Sequence, residues 1–539
     1  MKYNKIIIIT AAVVFFGSCT KLEEKFNSET TQGGSGSGGG GGNAAALLVG
    51  AYRSLNSPFQ DQARWYAAAE HTTDEAVGPT RGGDWDDNGV WRVYHNHKWT
   101  ADHGFLTDTY RDLAQAQFAA TTVLDNSPTA QQAAEAKFIR AFVMWCVLDG
   151  WDQVPFRATS TGDLTKTLPE VKKGTEAADF IINELNAAIP GLPAGNGIGR
   201  ASKNAARALL MKVYLNKGVY ANRATPTFAA GDMNQVITLA DQILADFPAY
   251  PGGFPANFFD NFAPNNDVIG KELVWTLRND NASGTGGNGV MYHYHCGTHY
   301  NQDPSGWNGF TTLGDFYDSF DPNDRRRGGR TGTTDFGNYP GTTGSGPQFT
   351  GVTGMRVGLL FGQQVNGAGA NLQDRKGNPL SFTKAVALKE SGNNLEVTGI
   401  RVVKYVQDRV KQFPADNDMV MFRLADILLM KAEAILRGGT ATAGPGGYGA
   451  TAAAIVNNIR THPSRGLSAL GTVDLNAVYK ERGFELYWEN WRRNDMIRFG
   501  TFLNARQLKG ATTSERLLFP IPNQQLTINP NLTQNPGYQ

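Results

Sequence analysis

MFRLADILLMKAEAILRGG, residues 421–439, decides the fold. Leu424, Ile427, Leu428 and Ile435 fall at offsets of 0, 3, 4 and 11, which is one face of a 3.6-residue repeat. Gly438 and Gly439 then supply a stop, because glycine adopts the left-handed backbone of a C-terminal cap without strain. The pattern predicts a helix over 418–437. In GRASKNAARALLMKVYL, residues 199–215, Ala205, Leu209, Leu210 and Val213 again share one face. That predicts a helix over 202–218, with alanines that let its neighbours approach closely. Working outward, the same texture predicts helices over 43–56, 104–125, 131–149, 174–188, 232–246, 450–461 and 474–490.

Between about 250 and 417 the texture changes. Gly, Pro, Asn and Thr become frequent, and alternation survives only in short runs such as Val402–Tyr405. Such a stretch predicts long loops with a few short strands. Helical pattern lies on both sides, over about 43–250 and 418–500. The expectation is one domain over 43–539 with a large insertion, rather than two domains in series. The helix pairs have the size of tetratricopeptide units, although no clean 34-residue repeat is present. The predicted fold class is therefore mainly α: tetratricopeptide-like helix pairs supporting a loop-rich ligand-binding region with a few short strands.

The N-terminal residues have the layout of an export signal. Lys2 and Lys5 are followed by an apolar run from Ile6 to Phe16, broken only by Thr10, and then by Gly17, Ser18 and Cys19. This run is too short for a membrane span, which needs roughly 20 residues. Phe-Gly-Ser-Cys has the form of a lipoprotein cleavage site, with the Cys19 thiol as acyl acceptor. The reading is a signal peptide over 1–18, removed on export, and a lipidated Cys19 opening a Gly/Ser-rich flexible linker over 19–42. The acidic pair Glu23-Glu24 resembles a surface-export signal of outer-membrane lipoproteins.

Composition narrows the class. Charged residues make up 18% of 539 and the formal net charge is +1, so nothing suggests the basic patch that nucleic acid or an anionic membrane surface would require. The 63 glycines and 11% aromatics fit long structured loops with rings available to a ligand. Cys146 lies in an apolar helical run and reads as buried and inert. Cys296 stands near His293, His295 and His299, but the spacing matches no zinc pattern, so no metal is assigned.

Several stretches together resemble the SusD/RagB family of outer-membrane nutrient-binding lipoproteins. They are EAKFIRAFVMWCVLDGWDQVPF (135–156), the segments at 199–215 and 421–435 quoted above, ERGFELYWENWRRNDMIRFG (481–500) and LFPIPNQQLTINPNLTQNPGY (518–538). The resemblance implies a cell-surface protein that caps a TonB-dependent, SusC-like transporter, captures an oligosaccharide and catalyses nothing. It also implies that the helices are support and the irregular part is the ligand face. Peptide-binding members of the same family are the alternative. A surface glycoside hydrolase is a third reading, but no stretch looks like a hydrolase signature. A helical scaffold that binds only proteins would have no need of Trp-rich glycine loops.

Sugars are held by flat rings that stack and polar groups that bond hydroxyls. Residues 65–99 are rich in both, and Arg81, Asp84, Trp85, Asn88 and Trp91 are the candidates there. Trp85 leads, being flanked by acids and glycine rather than by apolar residues. A second cluster, 291–310, offers Tyr292, Tyr300 and Trp307. The Tyr/His alternation over 292–295 predicts a strand with half its side chains facing a ligand. Asp84, Asp86, Asp87 and Asn88 carry oxygens suited to calcium but lack the spacing of an EF-hand loop, so they read as solvated acids and no cofactor is assigned. Glu481, Arg482, Glu485, Arg492, Arg493, Asp495 and Arg498 read as structural ion pairs at helical spacing.

Overall fold

The computed structural model describes residues 42–164, 166–279, 289–328, 338–339, 355–366, 369–393, 395–407 and 415–538. Cys19, the signal 1–18 and the linker to residue 41 lie outside the described residues.

Each long helix packs on the next. Gly104–Asp125 lies on Ala130–Trp151, which lies on Gly174–Ala188, then Lys203–Ala221, then Ala230–Leu244. After the irregular region, Leu424–Leu436 returns to pack on Ala230–Leu244, Ala452–Thr461 and Leu475–Leu486. Local chemistry sets the ends. Thr129 and Gln132 form a reciprocal capping box at the start of Ala130–Trp151. Ser202, Thr451 and Asp474 accept from the backbone N–H three residues on. From Ala134 onward almost every residue of Ala130–Trp151 is buried, as expected of a helix apolar on all sides.

Two predicted boundaries fail clearly. The helix expected over 474–490 ends at Leu486, where the chain turns into a corner instead. Residues 419–423 are not the first turns of a helix but a strand, Met419–Arg423, antiparallel to Leu273–Leu277. All ten residues of the pair are buried. A short run apolar on both faces has no period, so its sequence cannot separate a buried strand from a buried helix. The strand pair closes over the helices through aromatic contacts. The Trp275 ring lies 4.8 Å from both Phe138 and Phe142, and Phe422 stacks on Trp491 at 5.7 Å.

The acids and arginines near the C-terminus are structural, but they do not pair along one exposed helix face. They are buried and reach across the fold. Glu485 accepts from Arg326 at 2.8 Å and Arg423 at 2.7 Å, and also from Arg465. Arg423 continues to Glu272 and Glu489, and Glu489 also takes Lys404. Arg482 bridges Asp426 and Asp495, and Arg498 joins Asp495 to Glu433. Arg492 is bidentate to Asp74, and Arg493 reaches Asp149. Arg326 and Lys404 come from the irregular region, so this network ties that region to the helices.

The helix ending at Leu486 leads into a tight corner where Trp488 and Asn490 adopt φ of 56° and 73°. Two buried carboxylates hold the corner: Glu70 accepts from Asn490 N at 2.6 Å and Glu75 from Trp488 N at 3.0 Å. Burial pushes the Glu70 carboxyl from 4.5 up to about 7 despite that backbone bond. Across that window the folded chain keeps a proton that the unfolded chain has given up, so stability falls as pH rises through it. Glu70→Gln is expected to lessen this decline, the remainder belonging to Glu75, whose carboxyl burial also pushes up. Its melting curve should match the parent near pH 5 and lie above it at pH 8; parallel curves would contradict the assignment.

Candidate ligand-binding site

The first candidate segment is a loop that ends in a short helix. Thr80–Arg81 pairs parallel to Lys389–Glu390, the chain turns at Asp84–Trp85, and Val90–His95 is helical. Trp85 is half-buried and its Nε1–H donates to the Trp307 carbonyl at 3.1 Å. The Trp307 ring is 39% exposed. Its centroid lies 6.3 Å from Trp85 and 5.7 Å from Tyr292. Three predicted residues from two distant segments thus form one row: Tyr292, Trp307, Trp85. His295 braces the row by meeting Trp307 edge-on at 4.6 Å.

The row is set by what lies beneath it. Trp85 rests on Phe310 at 5.0 Å and directly on the backbone of Gly309, where a Cβ would come within 2.3 Å of the indole. Glycine is required there because the ring occupies the space of a side chain.

Two expected ligand residues do other work. Trp91 is 2% exposed, packed between Phe105 and Phe310 with Nε1 donating to Asp87 at 2.7 Å. It supports Trp85 from behind and has no face to offer. Arg81 is buried, and its three guanidinium nitrogens bond Gly309 O, Leu395 O and Thr398, which clips three loops together. Asn88 is exposed at φ 55° and makes no hydrogen bond to the described residues. Asp86 accepts from Arg92 and Asp87 from Trp91, yet Asp87 is exposed and the Asp86 side chain is 44% exposed, so the run stays open to solvent as expected. Among the described residues no three His, Cys, Asp or Glu side chains converge as a metal site.

Residues 291–295 form a helical turn, not the predicted strand. The turn satisfies its own backbone and buries Met291, His293, Tyr294 and His295, leaving Tyr292 facing Trp307. His293 packs on Tyr66 at 4.3 Å, and burial pushes the Cys296 thiol well up, away from the reactive thiolate.

Beside the row is a cleft of about 180 Å³, lined by Asp84, Tyr300, Asn308, Arg375 and Glu396 among others. The Arg375 guanidinium covers one face of Tyr300 at 4.1 Å, so Tyr300 presents an edge and a hydroxyl rather than that face. Glu396 holds Arg375 in place, accepting from its Nε at 2.7 Å and its backbone N–H at 3.1 Å. His299 Nδ1 accepts from Asn301 N at 3.0 Å, so its Nε2 carries the hydrogen and donates to Glu396 at 2.9 Å. Burial raises Glu396, but these donors outweigh it and hold the carboxyl below its ordinary range. Arg375, Glu396 and Asn308 were not legible in advance. Asp374–Asn378 reads only as a polar turn, and Asn308 draws notice solely as a neighbour of Trp307.

A helical support carrying loops that present a partly exposed aromatic row and a polar cleft defines a binding protein for small polar ligands. Residues 271–511 match the model of the SusD family. Over that stretch the chain is similar to the SusD family. It is similar to the starch-binding protein SusD of Bacteroides thetaiotaomicron, with 26% identity over 79% of this chain and 77% of the relative. A laminarin-binding SusD-like protein shares the fold at a TM-score of 0.66 and 21% identity, covering 92% of this chain and 99% of its own. The surface glycan-binding protein A of Bacteroides thetaiotaomicron, solved with laminarihexaose, superposes at a TM-score of 0.62 with 15% identity over 92% of this chain and 99% of its own.

Proposed function

We propose that this protein is a cell-surface glycan-binding lipoprotein that captures an oligosaccharide and passes it to a partner TonB-dependent outer-membrane transporter. The row Tyr292–Trp307–Trp85, exposed at Trp307 and half-buried at its two ends, carries the reading. Rings in a row at sugar spacing, with hydroxyl-bonding groups at one end, suit a chain of pyranoses. The relatives named above bind starch and laminarin, which supports the same ligand class here. Cys19 is the lipid anchor in this reading, the Gly/Ser run is slack between anchor and body, and residues 43–539 act as one domain.

Binding proceeds without chemistry. A glycosidase needs one carboxyl kept protonated near neutral pH and a second at a set distance. In the cleft the opposite holds for Asp374 and Glu396. Donors from Asn378 and Lys376, and from Arg375 and His299, keep both below the ordinary range.

A glycan and peptide array followed by calorimetry tests the reading. The intact chain is expected to bind one oligosaccharide class and to release no reducing ends. Peptide capture alone, or sugar release at enzymatic rates, would refute it. Gly309→Ala provides a finer test. The added methyl strains or displaces the Trp85 ring, a change of about 1–3 kcal/mol. Affinity is expected to fall toward that of Trp85→Ala while the far-ultraviolet circular dichroism stays unchanged; retained affinity would show that Trp85 is not part of the ligand face.

A further inference from the structure

The cleft beside the row has a composition that stacking does not require. Its lining includes three cations, Arg81, Arg375 and Lys376, and three carboxylates, Asp84, Asp374 and Glu396, so its formal charge is zero. Most of these groups are already satisfied by the protein. Arg81 is spent on its three loops. Asp374 accepts from Lys376 N and Asn378 N, both at 2.8 Å, and from Asn378 Nδ2 at 3.1 Å. Glu396 is taken by Arg375 and His299.

Apart from the exposed Lys376 ammonium, what remains is small and specific. The Asp84 carboxylate is exposed and accepts no hydrogen bond from the described residues. Asn308 lines the cleft yet is only 1% exposed. Its Oδ1 accepts from Arg401 Nε at 3.1 Å and Nη2 at 2.7 Å, which fixes the orientation of the amide. The Asn308 NH₂ therefore faces away from Arg401 and has no partner among the described residues. That NH₂ opens on the cleft rather than being sealed off, so a bound acceptor takes the place of water there.

We propose that this cleft is a second sugar subsite, beside the aromatic row, which takes one neutral pyranose through adjacent hydroxyls and so selects uncharged glycans over uronate or sulfated ones. The inference rests on the glycan-binding reading above. One hydroxyl donates to Asp84 and its neighbour accepts from the Asn308 NH₂, a pairing that only a group both donating and accepting can complete. A sugar carboxylate or sulfate placed there would face Asp84, and the one uncommitted ammonium of the lining, Lys376, is exposed, where solvent screens it. The space of about 180 Å³ suits one ring. Tyr300 borders it with its hydroxyl, since Arg375 covers one ring face.

The test is calorimetry of the intact chain with three hexasaccharides: maltohexaose, laminarihexaose and hexagalacturonate. One neutral hexamer is expected to bind at least about tenfold more tightly than the uronate. Asp84→Asn and Asn308→Asp should each weaken that neutral hexamer about tenfold, the value of one charge-assisted or buried hydrogen bond. Asn308→Asp keeps an acceptor for Arg401, so an unchanged melting temperature separates lost recognition from lost folding. Equal binding of the uronate overturns the inference. So do variants with unaltered affinity when Trp307→Ala still weakens binding, a result that leaves the glycan reading standing. Failure of all three hexamers to bind overturns the inference as well, and the array then decides the broader reading by itself.

Discussion

Trp307→Ala lowers oligosaccharide affinity by more than tenfold and the melting temperature by only a few degrees. The residue is 39% exposed at the centre of the row, so it keeps a face for a ligand while the rest packs on Tyr292, His295 and Trp85. A sugar stacked on one indole face covers on the order of 80 Å² of the 150–250 Å² an aromatic side chain can bury. At about 25 cal/mol per Å² that contact contributes about 2 kcal/mol, or roughly thirtyfold in Kd. Trp85→Ala should lose a similar factor and more stability, because the half-buried Trp85 packs on Phe310 and Trp91. Calorimetric titration beside thermal melting separates the two. A Trp307→Ala chain that binds normally would remove the row from the ligand face. One that melts far earlier than that would make Trp307 a packing residue.

Glu485→Ala produces the largest loss of stability. This carboxylate accepts from Arg326, Arg423 and Arg465, and all four side chains are fully or almost fully buried. Burial raises its carboxyl, but the three guanidiniums outweigh that and hold it well below the ordinary range. Removing one partner of a buried pair leaves an uncompensated charge and costs about 3–5 kcal/mol. Here three arginines share the loss. A fall in melting temperature of about 3–5 °C, or failure to accumulate folded protein, is expected. Glu485→Gln, which retains an acceptor, should fall between. Added salt should change little, since buried pairs are poorly screened. An unchanged melt would mean that water reaches the network.

The helices were readable because their signals are local. Thr129, Ser202, Thr451 and Asp474 cap the turns that follow them, and the apolar faces repeat within a few residues. The strand Met419–Arg423 was not, because its identity depends on Leu273–Leu277 far away in the chain. The site divides in the same way. Trp85 and Trp307 stand out because polar residues and glycine flank them, and both lie in the row. Trp91 has similar neighbours, Asn88, Gly89 and Val90 before it and Arg92 after it, yet it is core, since Phe105 and Phe310 cover it from elsewhere. Arg81 reads as a free cation until its partners at 309, 395 and 398 are known. Sequence exposes which side chains could meet a ligand; the packing of distant segments decides which ones have a free face.

The strand pair has a consequence for how such a protein can diversify. Leu277 and Met419 are register partners, so the chain leaves the helical support and rejoins it at a single hinge-pin. The described residues between them form a head that Thr80–Arg81 also clips to the handle. A different head would need the pair of strands at its neck, an arginine where Arg326 meets Glu485 and a lysine where Lys404 meets Glu489. It would also need a seat for Trp85, which the handle contributes from outside the loop. With those fittings kept, the recognition surface can be rewritten while the handle, and whatever docks on it, stays the same.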